Sequence, residues 1–197
     1  MNLIPEQVRA VMARLEAMDA ADRDDGTPRF KRLRQIRPEV GEFLLTLALS
    51  IDARTVVEVG TSGGYSTLWF GVAMATTGGR VTTFEVDPDK LAIARQTFAD
   101  AAVGDRVVLR DADGVAGLAG LPDGSADLVF LDAEKDLYER MLEDAVRVLR
   151  PRGLLVADNL TSHAEELAGF RARALAHPRL SGLVVPIGRG ELLAVRT

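Results

Sequence analysis

From residue 55 onward, short apolar runs rich in β-branched residues alternate with longer segments whose apolar positions recur at helical spacing. That alternation predicts βαβ units and a doubly wound, mainly parallel α/β sheet. The strands fall at Thr55–Gly60, Arg80–Val86, Val107–Asp111, Asp127–Asp132, Leu154–Asp158, Gly182–Ile187 and Glu191–Arg196. Helices are expected at Tyr65–Ala75, Pro88–Ala101, Gly114–Ala119, Lys135–Leu149 and His163–Ala176. Only Gly188-Arg189-Gly190 separates the last pair of strands, which signals a hairpin and hence one antiparallel strand. Upstream, Pro5–Met18 and Pro38–Leu49 read as helices flanking a polar loop, Asp19–Pro28. Pro38 and Pro88 open helices, where a missing N–H costs nothing, and Pro151 follows one. The expected organisation is one domain: a helical cap over residues 1–54 on a Rossmann-like core over 55–197. Trp69, Phe70 and Met74 recur at helical spacing and belong to its core.

Composition narrows the class. A chain of 197 residues, 47% hydrophobic, can build one substantial core. The absence of cysteine excludes a disulfide framework and thiolate metal sites, so the cytoplasm is the expected location. No apolar run reaches the ~18 residues that a membrane helix needs, and Met1 to Asp25 has no signal-like segment. A net charge of −5 argues against a life on nucleic-acid phosphates. There is one local exception: Arg29, Lys31, Arg32, Arg34 and Arg37 crowd together, either to meet an anionic acceptor or as a solvated face.

The candidate chemistry begins at the first strand. In Val56-Val57-Glu58-Val59-Gly60-Thr61-Ser62-Gly63-Gly64-Tyr65-Ser66 a buried strand breaks into glycines and starts a helix, offering close backbone approach and free N–H groups. The spacing differs from the G-x-G-x-x-G of pyrophosphate-binding folds, which disfavours a nicotinamide-dependent oxidoreductase. Glu85 ends the second strand, where such folds place a carboxylate on ribose hydroxyls, and Asp111 ends the third.

The segments Val57–Ser66, Arg80–Phe98, Asp127–Tyr138 and Leu149–Asn159 resemble the metal-dependent class I S-adenosylmethionine O-methyltransferases, the family of caffeoyl-CoA and catechol O-methyltransferases and their bacterial relatives. The resemblance covers about residues 36 to 197 and implies strand order 3-2-1-4-5-7-6 with the seventh strand antiparallel. It implies roles by position as well. Glu58, Gly60, Ser62 and Ser66 would line the methionine end of the cofactor, Glu85 would bind its ribose, and Asp111 with Ala112 would face its adenine. Gly64, Tyr65, Val86 and Asp132 complete the expected cofactor-binding set.

In a sheet of that order, neighbouring strands deliver Asp132, Asp158 and Asn159 to one carboxyl edge. Asp-Asn after a strand is by itself more often a turn than a ligand pair. Beside Asp132, and on positions where the family carries its metal ligands, these hard oxygen donors suit a divalent cation such as Mg²⁺. Lys135 follows Asp132 by three residues, and a lysine in a first helical turn gains nothing from the helix dipole. A nearby cation and sulfonium make its ammonium easier to deprotonate, so it is the expected general base.

The expected acceptor is a small hydroxylated aromatic; methylation of a hydroxylated RNA base is the alternative, with the basic stretch on phosphates. A non-catalytic cofactor-binding protein is disfavoured by Asp132, Lys135, Asp158 and Asn159 all being present. A homodimer is the expected assembly. The family's Asp-Ala-Asp-Lys here has Glu134 at its third place, and its Pro-Gly-Gly is Pro151-Arg152-Gly153. His163 follows the Asp158-Asn159 edge and is a candidate pocket residue, whereas His177 reads as structural. Tyr65 and Tyr138 fit packing and ligand contact equally.

Overall fold

The computed structural model describes residues 3–197. Its seven-stranded sheet has the order β3-β2-β1-β4-β5-β7-β6, as expected. The strands are β1 (Thr55–Val59), β2 (Arg80–Glu85), β3 (Val107–Asp111), β4 (Ala126–Leu131), β5 (Leu149–Ala157), β6 (Leu180–Val185) and β7 (Glu191–Arg196). β1 to β5 pair in parallel, and β7 runs antiparallel to β5 and β6.

Alternate strand residues enter opposite layers. Val56, Phe130, Leu154 and Val156 pack with helices α1 (Glu6–Asp24), α2 (Pro38–Ser50), α3 (Tyr65–Thr77) and α4 (Pro88–Asp100). Val57, Val59, Val129, Leu131 and Leu155 pack with α5 (Gly114–Ala119), α6 (Tyr138–Val148) and α7 (Ala168–Ala176). Covering both faces is why Leu128–Leu131 of β4 and Leu154–Ala157 of β5 are unbroken apolar runs rather than alternating ones. α6 carries the usual one-sided stripe, burying Tyr138, Met141, Leu142, Ala145 and Val146. α3 is buried from Tyr65 to Met74, Trp69 and Phe70 included, because α1 and α2 cover the side that the sheet does not.

Several boundaries differ from expectation, each for a tertiary reason. α1 runs on to Asp24, through half of the expected loop, because Asp19 and Asp22 accept hydrogen bonds from the Gln35 and Leu33 N–H groups, at 3.2 and 2.8 Å. β5 starts at Leu149 rather than Leu154: Leu149 pairs with Ala126, and a register shift then absorbs Pro151-Arg152-Gly153. Pro151 still follows α6, but it sits in a bulged strand. Lys135–Leu137 form a 3₁₀ turn before α6. The expected helix from His163 begins only at Ala168, since Leu160, Thr161 and Ser162 donate their N–H groups to Gly190 and Arg189 carbonyls of the β6–β7 hairpin loop. β6 lies two residues upstream of its expected start, at Leu180.

Candidate active site at the carboxyl edge of the sheet

β1 ends at Val59, and the chain turns through Gly60–Gly64 into α3. Gly60 has φ +103°, and a Cβ there would overlap the Asp132 carbonyl at the end of β4, so only glycine lets these strand ends approach. Ser62 donates its N–H to Glu85 Oε2 at 2.8 Å and its hydroxyl to the Leu33 carbonyl at 2.7 Å. Glu85 Oε1 accepts from the Val86 and Asp87 N–H groups at 2.8 and 2.9 Å. Its carboxylate is thus held by backbone donors before any ligand arrives, with a lone pair on Oε2 left for a ligand's hydroxyl.

Above this edge lies a cavity of about 700 Å³, a size typical of ligand sites. Gly60, Ser62, Tyr65, Ser66, Glu85, Val86, Asp132, Lys135 and Asn159 all line it. Its opposite wall is the segment between α1 and α2, contributing Arg29, Phe30, Leu33, Arg34, Gln35 and Ile36. The other expected cofactor residues lie off the cavity. Asp111 and Ala112 are exposed beyond its rim, and the neighbouring wall is made by Asp113 and Gly114. Gly64 is turned toward Phe98. Tyr65 lines the cavity, yet its hydroxyl donates to Glu16 of α1 at 2.5 Å.

Glu58 shares the Val56 face of β1, so it points under α3 rather than into the cavity. It is fully buried and accepts from the Thr67 hydroxyl at 2.5 Å, while its other oxygen has no partner. Burial pushes its carboxyl up to about 7, against the opposing hydrogen bond from Thr67. The folded protein therefore holds this proton longer than the unfolded chain does. The penalty for ionising Glu58 grows as pH rises from 4.5 to about 7 and then levels off on the order of 3 kcal/mol. Glu58→Gln is expected to be more stable than wild type at pH 8 and nearly equal to it near pH 4.5. Urea midpoints that differ by the same amount at both pH values would refute the assignment.

At the other end, Lys135 curls back from its 3₁₀ turn. Its ammonium donates to Asp132 Oδ1 at 3.3 Å, to the Ala133 carbonyl at 2.8 Å and to the Tyr138 hydroxyl at 3.1 Å. Tyr138 is completely buried, edge-on to Phe170, with its hydroxyl also within reach of the Leu131 carbonyl at 3.0 Å. It packs and positions, and does not line the cavity. Asp158 and Asn159 directly follow β5, both almost fully buried; Asn159 takes φ 74°, and its N–H donates to Asp158 Oδ1 at 2.5 Å. Burial and the nearby charge of Asp132 both push the Asp158 carboxyl up.

These residues fit a divalent cation. Two carboxylates that repel each other lie beside the Asn159 amide, and all three groups offer hard oxygen donors. Among the described residues no group of three or more His, Cys, Asp or Glu is placed to hold a metal. A cation here would rest on Asp132, Asp158 and the Asn159 amide oxygen and fill its other positions with water or substrate oxygens.

The structure gives partners to residues that local patterns left unassigned and adds Glu191, which they did not single out. Arg34, at φ 51°, forms a two-pronged ion pair with Glu134 that ties the α1–α2 segment to the loop carrying Lys135. The glutamate that departs from the family pattern is therefore used. Glu191 is fully buried with both carboxyl oxygens unpaired; continuing the Ala157–Leu192 register sets it opposite Asp158. Its signal was an acid opening an otherwise apolar strand. His163 does reach the cavity, whereas His177 accepts the Arg179 N–H at 3.1 Å and faces Glu143.

A family model described as O-methyltransferase matches residues 27–196. A Mycolicibacterium vanbaalenii protein named for the same family is 38% identical over 176 residues, 82% of this chain and 76% of that one. A catechol O-methyltransferase of Mycobacterium tuberculosis is 37% identical over 151 residues, 77% of this chain and 64% of that one. Among solved structures, an O-methyltransferase from Bacillus cereus in complex with SAH superposes with a TM-score of 0.81 at 26% identity, covering 100% of this chain and 94% of that one.

Proposed function

The chain belongs to the O-methyltransferase family, and from that premise we propose that this S-adenosylmethionine-dependent enzyme methylates one hydroxyl of a small catechol-like acceptor, using a divalent cation and Lys135 as proton acceptor. The observation that carries the reading is one continuous cavity with Glu85 and Ser62 at one end and Asp132, Lys135 and Asn159 at the other. The first pair suits a ribose, the second set a pair of vicinal oxygens. The catechol O-methyltransferase relative supports the same acceptor class. Among the described residues no helix is long and apolar enough to cross a membrane; the proposal takes the enzyme as cytoplasmic and homodimeric.

When bound, S-adenosylmethionine supplies a methyl group on a positively charged sulfur, and a divalent cation supplies Lewis acidity to oxygens placed on it. The chain's own residues do the rest. Glu85 and the Gly60–Ser62 backbone orient the cofactor. Asp132, Asp158 and the Asn159 amide oxygen would hold the cation at the acceptor end of the cavity. Lys135, once its amine is free, takes the hydroxyl proton, and the oxygen's electron pair forms the new C–O bond as the C–S bond breaks. Positioning supplies much of the acceleration.

The test is transfer of labelled methyl from S-adenosylmethionine to simple catechols and to hydroxylated RNA, with Glu85→Ala as the cofactor-site control. Product is expected with catechols. The variant is expected to bind S-adenosylhomocysteine more weakly by about 1.5–3 kcal/mol, the worth of hydrogen bonds to a charged group. Methylation of RNA alone, or an unchanged dissociation constant in folded Glu85→Ala, would overturn the respective half of the proposal.

A further inference from the structure

Of the five clustered basic residues, four are engaged elsewhere. Lys31 pairs with Asp87 and Asp89 at 3.5 and 2.7 Å, Arg32 donates to the Thr27 carbonyl at 2.8 Å, Arg34 pairs with Glu134, and Arg37 lies 3.8 Å from Glu39. Arg29 is different. Its Nη2 contacts only His163 Nε2, at 3.2 Å, and it lines the cavity. A guanidinium can only donate, so His163 accepts at Nε2, leaving Nδ1 to donate to the Ser162 hydroxyl at 3.0 Å. Arg189, on the β6–β7 hairpin loop, lines the same cavity. Among the described residues neither arginine has a carboxylate within 4.0 Å, and the Arg189 guanidinium makes no hydrogen bond.

This corner is short of negative charge. Glu166 lines the cavity but pairs with neither arginine. Arg189 also borders a second recess of about 400 Å³, which Arg37 lines as well. Two guanidinium groups kept apart from acids, one of them propped on a neutral imidazole, form a bidentate-capable receptor for a carboxylate or phosphate.

We propose that Arg29, His163 and Arg189 form an anion subsite at the mouth of the cavity, so that the acceptor is a hydroxylated aromatic carrying a carboxylate or phosphate group. This rests on the proposed function for the identity of the aromatic part. The anion is outside the transferring centre: the subsite holds the substituent while Lys135 and the oxygen donors hold the hydroxyls.

The test compares matched acceptors: 3,4-dihydroxybenzoate, its amide, and 3,4-dihydroxybenzyl phosphate, titrated by calorimetry into protein saturated with S-adenosylhomocysteine and Mg²⁺. The acid or the phosphate is expected to bind about tenfold tighter than the amide, a modest factor because Arg29 is exposed. Whichever of the two binds tighter identifies the source of the anion. Arg29→Gln and Arg189→Gln should each shrink that ratio, and the double variant should bring it to one with an unchanged melting temperature. In turnover the preference should appear in KM rather than kcat. Equal binding of all three compounds, or a preference that survives the double variant, overturns the subsite. So does a short RNA that displaces the acid at matched salt, which would assign the cluster to a nucleic-acid backbone. Methylation of the amide without preference for the acid would sink the subsite and leave the proposed function standing; absence of methylation of every catechol would fail the proposed function, while the calorimetric ratio still decides the subsite.

Discussion

Lys135→Met is expected to keep cofactor binding and to lose about 10²–10⁴ in kcat, the usual worth of a positioned proton transfer. A lysine that merely decorates the surface would cost less than ~0.5 kcal/mol in stability and nothing in turnover. The surroundings argue against decoration. The side chain is only 10% exposed, and its ammonium meets Asp132, the Ala133 carbonyl and the Tyr138 hydroxyl. It stands on a 3₁₀ turn rather than in the first turn of α6, which lets it fold back over the strand end. Because Asp132 would lose its partner, Lys135→Arg is the companion variant: it keeps the charge but cannot serve as a base. Both variants should fail on an ordinary catechol and lose far less on a nitrocatechol, whose hydroxyl ionises without help. Arginine restoring wild-type kcat on the ordinary catechol would reduce Lys135 to a source of positive charge.

Removal of divalent cation is expected to abolish transfer, and Mg²⁺ to restore it, because mutually repelling acids and the Asn159 amide converge at one edge of the sheet. Asp158→Ala separates this from general damage. With Asp158 gone, Asp132 and the buried Glu191 each lose a repelling neighbour, so the metal-free variant should be at least as stable as wild type. The rise in melting temperature that Mg²⁺ gives wild type should vanish in the variant, since stabilisation follows ligand occupancy. Binding of S-adenosylhomocysteine should fall much less than binding of metal. Full activity after exhaustive chelation, or an undiminished Mg²⁺-dependent melting shift in Asp158→Ala, would contradict the cation site.

The strands and the hairpin were legible because burial on both faces of a sheet leaves apolar runs, and turn chemistry leaves glycine, in consecutive positions. The strand-end carboxylates Glu85, Asp132 and Asp158 were legible for the same reason: each closes an apolar run. Family resemblance supplied the strand order, and the sheet bears it out. What periodicity does not carry is which neighbour a side chain meets. Glu58 and Glu85 are both strand acids, yet register buries the first beneath α3 and leaves the second on the cavity. The cavity's second wall, residues 29–36, reads locally as a charged stretch. It becomes a wall because Asp19, Asp22 and Ser62 fasten its backbone and Arg34 reaches Glu134, a hundred residues along the chain. Glu191 meets Asp158 only through antiparallel pairing. Local sequence determined the elements and the chemical groups they present, since burial repeats over a few residues; the tertiary structure alone decided which of those groups share a site, since their contacts span distances along the chain that no local pattern encodes.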